Sequence, residues 1–302
     1  MLQSTSRDDA PLDDLDAAPA AAALRLALPK GRMQDGVFCL LADAGVPVTV
    51  GARGYRPTVD LPEVTAKLLK PQNIVEMLDL GTRDLGLAGA DWVAEKDADL
   101  VEVLDCGLNP VRIVAAVPED AAWPPARPIV VASEYERLTK RWLEAEGIDA
   151  RFLRTYGATE VFAPEDADCI IDNTATGSTL AANRLRIVDE LLRSSTRLYA
   201  SRQAWAMPSK RARIEDLCLL LRSVLEARRR AMVEVNVSAE TLDAVVGVLP
   251  AMRRPTVSPL LGDDGFAVKA AVLRSELARV LPALRAAGGT DVVVTPFAQI
   301  VP

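Results

Sequence analysis

The chain has 302 residues, half of them hydrophobic and a quarter charged, a globular composition with ample material for a core. A formal charge of −7 argues against a protein that lives on nucleic acid, and four widely spaced cysteines form no CxxC pair. With no histidine anywhere, Ser-His and Cys-His catalytic pairs and histidine-ligated zinc are excluded, which leaves carboxylates, Lys, Arg, backbone amides and a hard metal ion.

Residues 1–22 are acidic, Ala/Pro-rich and aperiodic, and read as a disordered tail without the basic and apolar regions of a signal peptide. No apolar run reaches the roughly 18 residues of a membrane span, so a soluble, cytoplasmic protein with no membrane partner is expected. Leu24 to Leu28 is a short apolar strand, broken by Pro29-Lys30-Gly31-Arg32, and Met33 to Ala44 has helical periodicity. Asn73 is placed to cap a helix ending at Leu80. Asp84 to Leu87 is a buried strand with Gly89-Ala90-Asp91 at its carboxyl end. Val111 to Val117 is a strand, and Ile129 to Ala132 begins a strand–helix unit that Gly147 stops. Cys169 to Asp172 is a strand, Asn173 to Ser178 a loop, Thr179 onward a helix, and Arg197 to Ser201 one more strand. This alternation predicts parallel sheets with helices on both faces, in two lobes: residues 23–110 with a return segment at about 201–208, and residues 111–200.

After Pro208 the pattern changes. A long helix over Ser209–Arg230 is followed by strand, helix, strand, strand, helix and strand, which is the order of a ferredoxin-like α+β domain. Residues 209–302 are therefore assigned to a linker helix and a small separate domain.

The string ADCIIDNTATGSTL at 167–180 carries the chemistry. An apolar strand ends at Asp172. Thr174, Thr176, Ser178 and Thr179 supply hydroxyls, Gly177 admits close backbone approach, and a helix start adds N–H groups for an anion. Asp172 lies where a ribose would continue from a phosphate held there. The bland alternative is an ordinary helix cap with a turn glycine. No Gly-Lys-Ser/Thr occurs in this string, so it is not a Walker A loop. It resembles the phosphoribosyl-diphosphate loop of phosphoribosyltransferases, with Asn173 where the common version has a second acid.

Other segments narrow the branch. LRLALPKGRM at 24–33, KLLKPQNIVEML at 67–78, RDLGLAGADWVAE at 83–95, GATEVFAPEDADCIIDNTATGSTL at 157–180 and RPTVSPL at 254–260 resemble ATP phosphoribosyltransferase, the enzyme that opens histidine biosynthesis. The similarity runs in order from about residue 24 to the C-terminus and matches the long form of that family. It implies a two-lobed catalytic part resembling type II periplasmic binding proteins, plus a C-terminal regulatory domain. It also implies ATP and phosphoribosyl diphosphate as substrates, a magnesium requirement, histidine as feedback inhibitor, and a homo-hexamer with dimers as building blocks.

On that resemblance, Asp172, Asn173, Thr174, Ala175, Thr176, Gly177, Ser178 and Thr179 would hold the phosphoribosyl diphosphate. Asp172 would take the ribose hydroxyls, and Glu160 in the GATE turn the ribose or a magnesium-bound water. Lys30 and Arg32, at the end of the first strand, suit diphosphate or ATP phosphates. Asp91 would face the adenine or ribose. Arg53, Arg56 and Lys70 are weaker candidates for the triphosphate. Each has a competing reading: Glu160 as a solvated turn acid, Lys30 and Arg32 as a solvated basic turn, and Asp91 as a helix cap. Trp92 and Trp142 read as packing residues. The basic ends of the long helix read as a solvated or inter-subunit face rather than a nucleic-acid surface. Two rival functions fit the same layout: a two-lobed small-molecule binding or regulatory protein, and a phosphoribosyltransferase for another acceptor.

Overall fold

The structure is a computed structural model that describes residues 23–51, 54–252, 254–262 and 264–301. The N-terminal tail and Arg53 lie outside the described residues. In chain order the elements are β1 (Leu24–Pro29), α1 (Gln34–Asp43), β2 (Val48–Thr49), β3 (Thr58–Val59), β4 (Val64–Leu69), α2 (Pro71–Asp79), β5 (Leu85–Gly89), α3 (Ala90–Lys96) and β6 (Leu100–Pro118). Then follow β7 (Ile129–Ser133), α4 (Glu136–Glu146), β8 (Ala150–Arg154), β9 (Cys169–Thr174), α5 (Ser178–Ala182), β10 (Leu185–Ser201), α6 (Arg202–Ala206) and α7 (Pro208–Arg229). The last elements are β11 (Arg230–Ser238), α8 (Leu242–Val248), β12 (Thr256–Pro259), β13 (Gly265–Leu273), α9 (Leu277–Ala286) and β14 (Thr290–Pro296).

Eight strands form one mixed sheet in the order β4-β1-β5-β10-β6-β9-β7-β8. Its outer strands are parallel: β1 with β4 and β5, and β7 with β8 and β9. The two central strands, β6 and β10, run antiparallel to each other from Leu185 opposite Pro118 to Ser201 opposite Leu100, with several register shifts. This corrects the expected all-parallel arrangement. Residues 100–110 belong to the same strand as 111–118, and the helix after Thr179 stops at Ala182, so that 185–196 is strand as well. Polar residues in these stretches obscured them, because a strand paired on both edges but half-exposed on its faces lacks a continuous apolar signature. The long pair crosses from one lobe to the other, and each lobe keeps its own core. Leu26, Leu28, Leu40, Leu41 and Leu85 centre the first, and Ile113, Val131, Tyr135, Trp142 and Ile171 the second.

Helix α2 begins at Pro71 rather than behind an Asn73 cap. Proline at the first helical position has a fixed φ suited to a helix start and lacks an N–H that would go unpaired there anyway. Ile74, Val75 and Leu78 bury one face of α2 against Ala27 and Ala88. The long helix α7, assigned from the sequence to the C-terminal unit, buries Ile214, Leu217, Leu221 and Val224 in the first lobe's core. Its N-terminal turn is also pinned electrostatically. The Asp84 carboxylate accepts from Arg25 Nε at 3.0 Å, Arg25 Nη2 at 2.8 Å, Arg25 N at 2.8 Å and Lys210 Nζ at 2.9 Å. Those donors hold Asp84 below the usual carboxylate range against the opposing effect of burial. The C-terminal sheet has the order β12-β13-β11-β14, all antiparallel, which is the ferredoxin-like arrangement expected. Val233, Val235, Val237, Val268, Val280 and Leu284 form its separate core. No helix among the described residues is long and apolar enough to cross a membrane.

Candidate active site

The sheet delivers the predicted residues to one side of the cleft between the lobes. β9 ends in Asp172-Asn173-Thr174, and the chain then turns through Gly177, whose φ of 85° is a conformation that glycine adopts at little cost, into α5. Thr174 is buried and its Oγ1 accepts from Gly177 N at 2.9 Å, which fixes the turn. Thr176 Oγ1 and Ser178 Oγ lie 3.0 Å apart, and Ala175, Thr176, Ser178 and Thr179 are exposed. The loop is thus shaped by one buried hydroxyl and leaves the others at the surface.

Asn173 explains what a second acid would have disturbed. Its backbone N donates to Asp172 Oδ1 at 2.7 Å and its Nδ2 to the same oxygen at 3.1 Å. One oxygen is held, and the other, Oδ2, has no protein donor among the described residues. Burial pushes the Asp172 carboxyl up to about 6, with Glu160 and Glu134 adding like charge, while the Asn173 N–H and Arg32 partly offset these. Glu160 sits in the short 3-10 turn Thr159–Val161, close enough to Asp172 to act on it. That turn is anchored by Thr155 Oγ1 and Thr159 Oγ1 at 2.8 Å, both buried.

Next to Asn173 lies a cavity of about 210 Å³ at the ends of β1, β5, β7 and β9, with β6 and β10 as its floor. Lys30, Arg32 and Asp91, three of the residues singled out in the sequence, line it. Lys30 Nζ stands 5.1 Å from the centre of the Tyr55 ring. Arg32 Nη2 donates to Asn173 Oδ1 at 3.0 Å, a bridge across the lobes. Lys70 is exposed at the position before α2. It does not line the cavity, but its charge opposes the upward push that burial gives Glu134 on the cavity wall. Arg56 lies near Lys67 and Arg83, away from the cavity wall.

Asp91 is committed in a way its sequence position does not show. Ser194 Oγ donates to Asp91 Oδ1 at 2.6 Å and accepts from Asp91 N at 3.0 Å. The Tyr135 hydroxyl donates to Asp91 Oδ2 at 2.8 Å and accepts from Asn173 Nδ2 at 3.4 Å. Burial and the Asp91 carboxylate raise the Tyr135 phenol well above its ordinary value, so it remains a donor. Trp92 stacks on Tyr135 with centroids 4.7 Å apart, so this packing residue is also cavity wall. Alongside, Glu95 accepts from the N–H groups of Arg137 and Leu138 at 3.1 and 3.0 Å, capping α4 from the opposite lobe. Trp142 packs as expected, donating to Asp189 at 2.7 Å. Sequence reasoning missed Tyr135, Ser194, Glu134 and Gln72 as cavity residues. A polar residue inside a strand or first helical turn carries no local mark of the cleft it faces.

Among the described residues no group of three or more Asp, Glu or Cys could hold a metal ion. The loop and cavity thus hold scattered carboxylates, hydroxyls and cations rather than a cluster of metal ligands.

The comparisons with known proteins agree with this geometry. Residues 70–223 match the ATP phosphoribosyltransferase family, and residues 227–299 match the HisG C-terminal domain family. The chain is 40% identical to the ATP phosphoribosyltransferase of Desulforudis audaxviator over 287 residues, covering 92% of this chain and 99% of that one. It is 38% identical to that of Pelotomaculum thermopropionicum over 287 residues, with the same coverage of each chain. A solved structure, an ATP phosphoribosyl transferase (HisG:HisZ) complex from Thermotoga maritima, superposes with a TM-score of 0.61 at 26% identity. That superposition covers 67% of this chain and 98% of that one. A two-lobed α/β body with this loop, this cavity and an appended ferredoxin-like domain belongs to the ATP phosphoribosyltransferase family of histidine biosynthesis, in its long form.

Proposed function

We propose that the cleft holds phosphoribosyl diphosphate on the Asp172–Thr179 loop and ATP in the adjoining cavity, with Asp172, Glu160 and Lys30 as the catalytic groups. One observation carries this reading: Asp172 has one oxygen fixed by Asn173 and the other without a protein donor among the described residues, directly before a turn whose hydroxyl residues are exposed. In that arrangement Thr176, Gly177, Ser178 and Thr179 bind the 5-phosphate and Asp172 Oδ2 accepts from the ribose hydroxyls. The reaction forms a bond between adenine N1 and ribose C1 as the C1–diphosphate bond breaks. The N1 lone pair is already nucleophilic, so no strong base is required. Catalysis is then positioning plus stabilisation of charge on the departing diphosphate, the task assigned to Lys30 and Arg32.

A magnesium ion fits this donor set only as a companion of the substrate phosphates, with Glu160 contributing through a water, since hard cations accept phosphate oxygens and few protein ligands. When bound it neutralises diphosphate charge. The lobes are taken as residues 23–110 with 201–208, and 111–200. The ferredoxin-like unit is taken as the regulatory domain of a cytoplasmic homo-hexamer inhibited by histidine. The test is formation of phosphoribosyl-ATP from ATP, phosphoribosyl diphosphate and magnesium, followed by near-ultraviolet absorbance. Well-folded protein that binds the substrates without product overturns the assignment of catalytic groups, and inhibition by histidine that survives removal of residues 230–302 overturns the regulatory one.

A further inference from the structure

Two side-chain atoms among the described residues are buried without a hydrogen-bond partner, Gln72 Oε1 and Arg83 Nε. Of these residues only Gln72 lines the cavity. It is the second residue of α2, and the buried Ile74, Val75 and Leu78 fix that helix in the core. A buried amide oxygen left unpaired is costly, and natural proteins seldom retain one without a reason. No protein hydrogen bond among the described residues holds that oxygen, so the side chain can turn toward a ligand in the cavity it lines without breaking one.

Three side-chain amides line this cavity: Gln72, Asn109 and Asn173. Asn109 Oδ1 accepts from Thr196 Oγ1 at 3.3 Å, and Asn173 is engaged by Arg32, Asp172 and Tyr135. Only the Gln72 oxygen is uncommitted. The acidic wall residues do not match the whole amide, because Asp91 is occupied by Ser194 and Tyr135, and a carboxylate such as Glu134 accepts but has no N–H to donate beside its acceptor.

The chemistry of the acceptor says what an uncommitted amide is for. Adenine attacks through N1, so the N1 lone pair must face the ribose and cannot be gripped by the protein. Adenine is then distinguishable by its other edge, where the exocyclic amino group donates and N7 accepts. A primary amide is the complement of that edge, and Gln pairs with it bidentately. Resting on the placement of ATP in this cavity proposed above, we propose that Gln72 reads the amino/N7 edge of the ATP adenine and sets acceptor specificity. Trp92 and Tyr135 supply an aromatic wall of the same cavity.

The test compares ATP with 7-deaza-ATP, which keeps N1 and the amino group but has carbon at position 7. Initial rates are measured at saturating phosphoribosyl diphosphate on the full chain. The intact enzyme is expected to prefer ATP by about tenfold in kcat/KM, the discrimination typical of a bidentate contact. Gln72→Ala and Gln72→Met should each lose more on ATP, where both contacts go, than on 7-deaza-ATP, where only the amino contact goes, chiefly through KM, so that the preference collapses. The KM for phosphoribosyl diphosphate should not move. Gln72→Glu, which sets an acceptor against N7, should not restore the preference. Variants that keep the wild-type preference overturn the proposal. So does equal loss on both nucleotides with a raised KM for phosphoribosyl diphosphate, the mark of general damage.

Discussion

The Asp172–Thr179 loop and the Asp91 cluster meet at Asn173 and use their polar groups in opposite ways. In the loop, Thr174 is buried to hold the turn while Thr176, Ser178 and Thr179 are exposed. Around Asp91 nearly everything is spent internally: both carboxylate oxygens, the Ser194 hydroxyl and the Tyr135 hydroxyl are paired across three elements. The loop resembles a preorganised binding surface, whose dipoles cost nothing to align when the ligand arrives. The Asp91 cluster resembles a clasp, joining α3 of one lobe to Tyr135 of the other over a strand that serves both. A lobe-bridging network also places the cations near the loop, because Arg32 reaches Asn173, and Asn173 is the residue that orients Asp172.

Breaking each side of this contrast should give different signatures. Asp172→Asn removes the charge that would accept two ribose hydroxyls. At roughly 1.5–3 kcal/mol for each hydrogen bond to a charged group, activity should fall about 10²–10⁴-fold, while the melting transition at neutral pH rises because a buried charge is gone. Initial rates against phosphoribosyl diphosphate concentration read the effect. Gly89→Ala attacks the clasp without touching its members. A Cβ there would stand 2.1 Å from Asp91 Oδ1 and 3.5 Å from Ser194 Oγ. The carboxylate must leave its partners, so a stability loss of about 2–4 kcal/mol is expected in a denaturant titration. Tyr135→Phe removes one donor and keeps the Trp92 stack, and should cost about 1–2 kcal/mol by the same measurement. Ser178→Ala takes a single neutral hydroxyl from the loop and should raise the KM for phosphoribosyl diphosphate roughly fivefold, with no change in stability.

The contrast also separates what can be read from sequence from what cannot. The loop is legible because its strand end, glycine, hydroxyls and helix start are consecutive, so one short string carries the chemistry. The ferredoxin-like unit is legible because its alternation of strand and helix is local too. The clasp joins residues 44 and 103 positions apart, and neither Tyr135 nor Ser194 has neighbours that advertise it. The central strands were only partly legible for a related reason: 100–110 and 185–196 bury few side chains, and their pairing with each other identifies them as strand. Helix α7 reads as a linker from its position in the chain, yet its Ile214, Leu217 and Leu221 face lies in the first lobe's core. Amphipathic spacing gives a buried face but not the surface that covers it.

The smallest effect follows from the Asp172 carboxyl at about 6, above the ordinary value of 3.8, with burial the first cause. The folded chain therefore holds this proton more tightly than the unfolded chain. Stability from this group is fully present below about 3.8 and lost as pH rises to about 6, so the ionised carboxylate is a cost that folding bears at neutral pH. In the proposed binding mode ribose hydroxyls donate to the ionised form, so substrate binding would favour it. Affinity for phosphoribosyl diphosphate should fall about twofold at pH 6 relative to pH 8, and then approach tenfold per unit below that. The 5-phosphate itself titrates near 6, so the profile must be taken as a difference between wild type and Asp172→Asn. A residual inflection near 6 in that difference places the titration on the carboxylate. Parallel profiles would assign it to the substrate and leave Asp172 ionised throughout, which would make the loop side of the cleft insensitive to pH in this range.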